Sequence, residues 1–319
     1  MKAEKSAVST HIPVLAEEVL KHLCPKSGCV YLDATVGAGG HCRLLLEAAP
    51  PDSRVIAFDR DGRAIETARR NLAEFGDRVS FHHEDFRRAP AILEGIELDG
   101  AVADLGVSSL QLDDPEAGFS FKHPGSLDMR MDRRDGQTAA DIVNSLSGDE
   151  IADLIWRYGE ERRSRRIARA IVETRENSPI ENTDELARVI RSAFSARERR
   201  TARIDPATRT FQALRIAVND ELNGLDEFIS ATSRLLKPGA RLVIISFHSL
   251  EDRIVKRTLR NLSGASGGGR YLPPEEPKLP LMRILTRRPV RPSESETERN
   301  PRSRSARLRA AERLCDGED

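Results

Sequence analysis

Aromatic side chains make up only 4% of this 319-residue chain. That scarcity argues against a surface built from many base-stacking platforms. Charge of one sign is lacking too: 51 Lys and Arg balance 51 Asp and Glu, a formal net charge of zero. Any face that binds a polyanion is therefore local, not global. The four cysteines, Cys24, Cys29, Cys42 and Cys315, form no CxxC pair and have no histidine at zinc-finger spacing. Free thiols in a reducing compartment are the expectation. No apolar run approaches the ~20 residues of a membrane span, and residues 1–10 are polar, without an apolar signal core. The expected location is the cytoplasm, with no membrane partner. The sequence carries neither a metal-ligand cluster nor an internal repeat.

What is present is a rhythm of short apolar runs at residues 30–34, 55–58, 79–82, 100–103 and 241–246. Helical patterns separate the first three; at residues 63–75, Ile65, Ala68, Leu72 and Phe75 share a face. Such alternation predicts an α/β fold with a parallel sheet and helices on both sides. After Asp104 the rhythm breaks. Residues 118–131 have no clear period. Helical stripes then follow (Ile151, Leu154, Ile155, Tyr158; Leu186, Val189, Ile190, Phe194), with Thr183 as an N-cap before Asp184 and Glu185. The expected division is a core over residues 1–112, a helical insertion over 113–205 as a substrate-binding domain, and the rest of the core, with a basic terminal segment, over 206–319. In that last part a helix runs through Phe211, Leu214, Val218, Leu222 and Leu225, Lys237-Pro238-Gly239 is a turn, and 264–269 is a Gly/Ser loop. Residues 281–286 and 306–311 are read as the last two strands, the second also with helical composition.

The densest signal is Asp33-Ala-Thr-Val-Gly37-Ala-Gly39-Gly40-His41. A strand feeding a glycine turn at a helix start lets backbone approach a ligand closely and offers free N–H groups. Dinucleotide sites carry a third glycine for close helix packing; here Gly40 is followed by His41 and Cys42. Asp33 with GxGG better fits S-adenosylmethionine, which has no pyrophosphate to seat. Asp59 ends the second strand, where a carboxylate can accept ribose hydroxyls. Asp85-Phe86 follows the third, an acid and an aromatic suited to adenine, and Asp104 ends the fourth. Ligands of open α/β sheets lie off the carboxyl ends of strands. Any one of these acids alone reads equally as a cap or a salt-bridge partner.

These residues resemble a known family, the bacterial 16S rRNA cytosine-N4 methyltransferases (RsmH, formerly MraW). The likeness runs from His11 to Arg313. It is carried by residues 11–20, 33–41 and 104–109, Gln111-Leu-Asp113, residues 118–121 and 127–132, Tyr158-Gly-Glu160, and residues 206–215, 246–253 and 300–306. The resemblance implies a class I, Rossmann-like methyltransferase core with an inserted helical domain. It implies S-adenosylmethionine contacts at Gly39, Gly40, His41, Asp59, Phe86, Asp104 and Gln111. It also implies the substrate, the N4 amine of the cytidine at position 1402 of 16S rRNA in the small ribosomal subunit. Cys42, Leu110, Ser126 and Asp205 depart from the family pattern, which has Ser, Pro, Pro and His there. Asp205 matters most: near RNA phosphate it repels, whereas at a helix start it caps.

Methyl transfer to an amine needs alignment and an acceptor for the amine hydrogens. Asp104 is the first candidate for that acceptor. Ser108, Ser109 and the Ser246-Phe247-His248 turn come next, Phe247 to stack on the base and His248 to relay a proton. His248 reads equally as a structural hydrogen bond, and Phe247 as core. Ser246-x-His248 lacks the GxSxG elbow of a hydrolase. Two arginine-rich stretches suit phosphate. One is Arg162, Arg163, Arg165, Arg166 and Arg169, with Arg199, Arg200 and Arg203. The other runs from Arg283 to Arg309 and includes Arg302 and Arg304 as RNA contacts. A solvated helix face is the bland alternative. The rivals in function are a nicotinamide oxidoreductase and a cofactor-binding ribosome-assembly factor without turnover; a homodimer is left open.

Overall fold

The computed structural model describes residues 13–26, 28–265 and 279–315. The polar N-terminal stretch, His11 and Ile12 of the first family-like segment, and most of the Gly/Ser loop at 264–269 lie outside the described residues. Two compact units emerge, one of Met1–Gly106 with Gly224–Asp319, the other of Val107–Asn223. In chain order, the first unit begins with α1 (Ala16–Leu23), β1 (Val30–Asp33), α2 (Gly40–Ala48) and β2 (Arg54–Asp59). It continues with α3 (Gly62–Asn71), β3 (Val79–His83), α4 (Ala89–Ile92) and β4 (Leu98–Asp104). The second unit holds α5 (Ser109–Asp113), α6 (Ala139–Ser145), α7 (Gly148–Gly159), α8 (Ser164–Arg175), α9 (Thr183–Ser192), α10 (Ala196–Thr201) and α11 (Ala207–Asn219). The first unit then resumes with α12 (Leu225–Leu235), β5 (Leu236–Ser246), α13 (Ser249–Leu262), β6 (Met282–Ile284), α14 (Glu294–Arg299) and β7 (Arg307–Arg313).

The strands form one sheet in the order β3-β2-β1-β4-β5-β7-β6. The first five are parallel, and β7 runs antiparallel to both β5 and β6. The apolar runs are continuous because both faces are covered, and successive side chains alternate between them. Tyr31, Val55, Ala57, Val102, Val243 and Ile245 pack on one side with Val19 of α1, Leu45 of α2 and Ile65 of α3. Leu32, Ile56, Phe58, Ala101, Ala103, Leu242 and Ile244 pack on the other with Phe228 of α12 and Leu259 of α13. This is the α/β, Rossmann-like class expected from the sequence. The Lys237-Pro-Gly239 turn falls inside β5, as an irregularity: pairing with β4 jumps from Leu236 to Arg241, and Gly239 takes φ +79°. Residues 307–313 form a strand despite their helical composition, because they fill the place between β5 and β6.

The helical unit is wider than the 113–205 insertion read from the sequence. Helix α11, expected in the core, buries Phe211 and Leu214 with Ile151, Ile155 and Ile190 of the helical unit. Its close approach to α7 needs Gly159, where a Cβ would lie 2.7 Å from the Arg209 carbonyl oxygen. Thr183 is the first residue of α9, not its cap: it is buried, and its hydroxyl donates to the His123 carbonyl oxygen (3.3 Å). No helix among the described residues is long and apolar enough to cross a membrane.

Candidate active site

The sheet order reverses at β1: β2 and β3 lie to one side of it, β4 and β5 to the other. Ligand crevices form at such switch points. Here Asp33 ends β1, and Asp104 ends β4, two residues beyond the Val102 that pairs with Asp33. The Asp104 N–H donates to Thr35 Oγ1 (2.7 Å), and the Ala34 N–H to the Val102 carbonyl (2.9 Å), so the two strand ends are locked side by side.

The glycine turn follows. Gly39 sits at φ +93°, and a Cβ there would meet Leu72 side-chain carbons at 3.0 and 3.1 Å. Backbone conformation and packing therefore both require glycine. A Cβ on Gly40 would lie 3.2 Å from Pro13 Cβ. The Asn71 side chain pins the turn by donating to the Ala38 carbonyl (2.8 Å). Asp59 receives the Gly37 N–H on Oδ2 (2.8 Å) and the Asp61 N–H on Oδ1 (2.9 Å). Burial nevertheless pushes its carboxyl up to about 6, against the pull of those two N–H groups. Each of its oxygens retains acceptor capacity for a ligand hydroxyl.

His41, in the first turn of α2, is 7% exposed, and its Nε2 lies 3.5 Å from Asp104 Oδ2. Asp33 is 2% exposed. Burial pushes its carboxyl up to about 7, opposed by His41 and the Thr35 N–H and helped by the charges of Asp104 and Asp59. Asp33 Oδ2, both ring nitrogens of His41 and Asp104 Oδ1 are buried without a hydrogen-bond partner among the described residues. Buried polar atoms are nearly always paired, so four at one crevice mark a place for a polar ligand. S-adenosylmethionine fits: its ammonium and hydroxyl groups supply the donors that these carboxylate oxygens lack.

Phe86 stacks edge-on against Phe228 (4.8 Å between centroids) at the start of a short 3-10 turn. Asp85 is a cap and an ion pair: its oxygens take Arg87 Nε (2.9 Å) and Nη2 (2.7 Å), and the Arg87 N–H as well (2.9 Å). Burial opposes ionisation there, but Arg87 holds the carboxyl below its ordinary value. In the helical unit, Ser108 and Gln111 form a reciprocal capping box on α5, with Gln111 buried and Ser109 opening the helix. Phe247 lies over Gly106, where a Cβ would come within 2.6 Å of its ring. His248 caps α13. Its Nδ1 accepts from the Glu251 N–H (3.4 Å), and its Nε2 lies 3.1 Å from Glu251 Oε1. Glu251, 1% exposed, also accepts the Phe247 N–H (2.8 Å). These contacts are those of the structural alternative for His248. Glu251 and Thr35 were missed in the sequence, although Glu three residues after His248 has capping-box spacing.

The C-terminal arginines divide. Arg309 binds Asp252 through Nε (2.7 Å) and Nη2 (3.2 Å), and Arg283 pairs with Glu312. Arg302 and Arg304 lie exposed on a 3-10 turn. Asp205 makes a two-pronged pair with Arg191 (3.1 and 2.8 Å) and accepts the Ala207 N–H (2.9 Å), so it orders the start of α11.

Fold and site together define a methyltransferase that uses S-adenosylmethionine. The chain belongs to the MraW methylase family, whose model matches residues 8–314. It is 50% identical over 312 residues to the ribosomal RNA small subunit methyltransferase H of Geotalea uraniireducens, spanning 95% of this chain and 98% of that protein. It is also 50% identical over 312 residues to the protein of the same name from Trichormus variabilis, spanning 98% and 94%. Among solved structures it is similar to an S-adenosylmethionine-dependent O-methyltransferase of Thermotoga maritima, with TM-score 0.40 and 13% identity over 95% of this chain and 66% of that one.

Proposed function

We propose that this chain methylates the N4 amine of a cytidine, position 1402, in the 16S rRNA of the small ribosomal subunit, in the cytoplasm. The observation that carries the reading is the position of Asp104 at the switch point, with Oδ1 unpartnered beside His41. When bound, S-adenosylmethionine supplies a methyl group already activated on a sulfonium, so the protein's task is alignment. Gly39, Gly40 and His41 form the wall of its pocket, Asp59 takes the ribose hydroxyls, and Phe86 flanks the adenine. The lone pair of cytosine N4 is drawn into the ring, which makes the amine a poor nucleophile. A carboxylate on its N–H bonds favours the pyramidal geometry in which the lone pair becomes available. Asp104 is that carboxylate, and its Oδ1 receives the proton that the amine releases. Phe247, held by Glu251, flanks the target base; His248 holds the turn.

The test is methyl transfer from labelled cofactor to unmodified small subunits and to free 16S rRNA, followed by nucleoside analysis. N4-methylcytidine is expected with at least one substrate, and its absence from both would sink the proposal. Asp104→Ala is expected to lower kcat by roughly 10²–10³, beyond any change in cofactor Kd. A variant as active as the parent would remove Asp104 from the chemistry.

A further inference from the structure

Between the second half of α7 and the first turn of α8, the helical unit holds a cleft of about 600 Å³. Asp153 and Trp156 line it from α7, and Arg162, Arg165 and Arg166 from the following turn and α8. Trp156 is the sole tryptophan of the chain, and 58% of it is exposed. The helix that carries it buries Ile151, Ala152, Ile155 and Gly159 on its other side, so packing does not account for an indole here. The three arginines make no carboxylate pair among the described residues, and two nearby acids, Glu161 and Glu198, are engaged elsewhere. Glu161 takes the Arg163 N–H (2.9 Å) and the Arg209 guanidinium (3.4 Å). Glu198 pairs with Arg163, whose guanidinium also lies over the Phe194 ring (5.6 Å). Arg163 also lines the cleft but is held by Glu198, whereas Arg162, Arg165 and Arg166 line it without such a pair.

An aromatic face beside three unpaired guanidinium groups matches a base next to its phosphates. Asp153, an exposed carboxylate at the same cleft, accepts from a base amino group or a ribose 2′-hydroxyl. An acidic peptide would satisfy the arginines, but it leaves the indole unused. A duplex hides its base faces. We propose that this cleft binds a single-stranded stretch of the substrate RNA, with one base on Trp156 and flanking phosphates on Arg162, Arg165 and Arg166. The proposal rests on the RNA reading given above and places a contact in the helical unit by itself.

Because Trp156 is the sole tryptophan, its fluorescence reports the cleft directly. The full chain is titrated with a short single-stranded RNA of 16S sequence, with polyglutamate of equal charge as the control. Saturable quenching by RNA and none by polyglutamate are expected. Trp156→Ala weakens RNA retention in filter binding by roughly 5- to 150-fold. The triple change Arg162→Glu, Arg165→Glu and Arg166→Glu lowers the slope of log K against log salt by about 2, at about 0.7 per phosphate neutralised. RNA that binds on the filter without moving the fluorescence of the parent overturns the site, and so does equal quenching by polyglutamate; neither measurement depends on a variant folding. Quenching without methyl transfer overturns the proposed reaction and upholds the site. Methyl transfer without quenching does the reverse.

Discussion

Asp33 closes β1 with 2% of its surface exposed and one carboxylate oxygen unpartnered among the described residues. Burial raises its carboxyl to about 7, far above the ordinary 3.8. A raised acid holds its proton more tightly in the folded state than in the unfolded one. Its contribution to stability is therefore present at low pH, falls as pH climbs from about 4 to about 7, and stays low above that. Asp33→Asn is expected to raise Tm at about pH 8, by an amount on the order of a few kcal/mol in stability, and to leave Tm near pH 4 little changed. The same variant should bind S-adenosylmethionine more weakly. Thermal melts at the two pH values with a cofactor titration check both halves; a lower Tm at pH 8 would show that the fold itself holds the ionised carboxylate. Asp59 follows the same sign, raised by burial to about 6. A carboxylate that takes ribose hydroxyls loses acceptor strength on protonation, so cofactor Kd should rise as pH falls through about 6, and Asp59→Asn should flatten that dependence.

At the scale of elements, the strands around the switch point were legible because buried parallel strands are continuous apolar runs, as at Val55, Ile56, Ala57 and Phe58. The glycine turn was legible because positive φ is a property of single residues. The bond between Asp85 and Arg87 was not, because a carboxylate that caps a turn and binds a guanidinium has the same sequence as one that faces only a ligand. Helix α11 was likewise misplaced, because an apolar stripe says that a face is buried but not against what. Where Gly39 is concerned, two constraints coincide: φ +93° and Leu72 carbons 3.0 and 3.1 Å from the position of a Cβ. Gly39→Ala is expected to cost about 1–3 kcal/mol from the backbone alone, and to weaken cofactor binding by shifting the turn. Adding Leu72→Ala removes the steric part but not the backbone part. The double variant should therefore recover cofactor affinity in part while staying less stable than Leu72→Ala alone, as read by titration and thermal melts. Full recovery of both would mean that the left-handed conformation at Gly39 carries no strain.

Across the whole molecule the charges sum to zero, yet the arginines are not equivalent, and sequence proximity does not sort them. Arg309 finds Asp252 across 57 positions of chain, and Arg241 finds Glu312 across 71. A run of arginines at 302, 304, 307 and 309 thus contains two kinds of residue. Alternation along β7 turns Arg307 and Arg309 toward Asp252 on α13, while Arg302 and Arg304 stand exposed before the strand begins. The two kinds should fail differently. Arg309 is 6% exposed, and removing it takes away the two shorter bonds to a mostly covered carboxylate and leaves only Arg307 at 3.3 Å, at a cost below the about 3–5 kcal/mol of a buried charge left wholly unpaired. Arg309→Ala should lower Tm strongly and reduce methyl transfer only as far as folded protein is lost, so activity per folded molecule stays near that of the parent. Arg302→Glu with Arg304→Glu should lower Tm less than Arg309→Ala, because both residues are exposed, and should weaken RNA binding in a salt-dependent way. Every phosphate that is no longer neutralised lowers the slope of log K against log salt by about 0.7 for a single strand. If the double variant keeps the parent's salt slope and KM for RNA, the exposed arginines before β7 are a solvated face, and the polyanion is held by the helical unit.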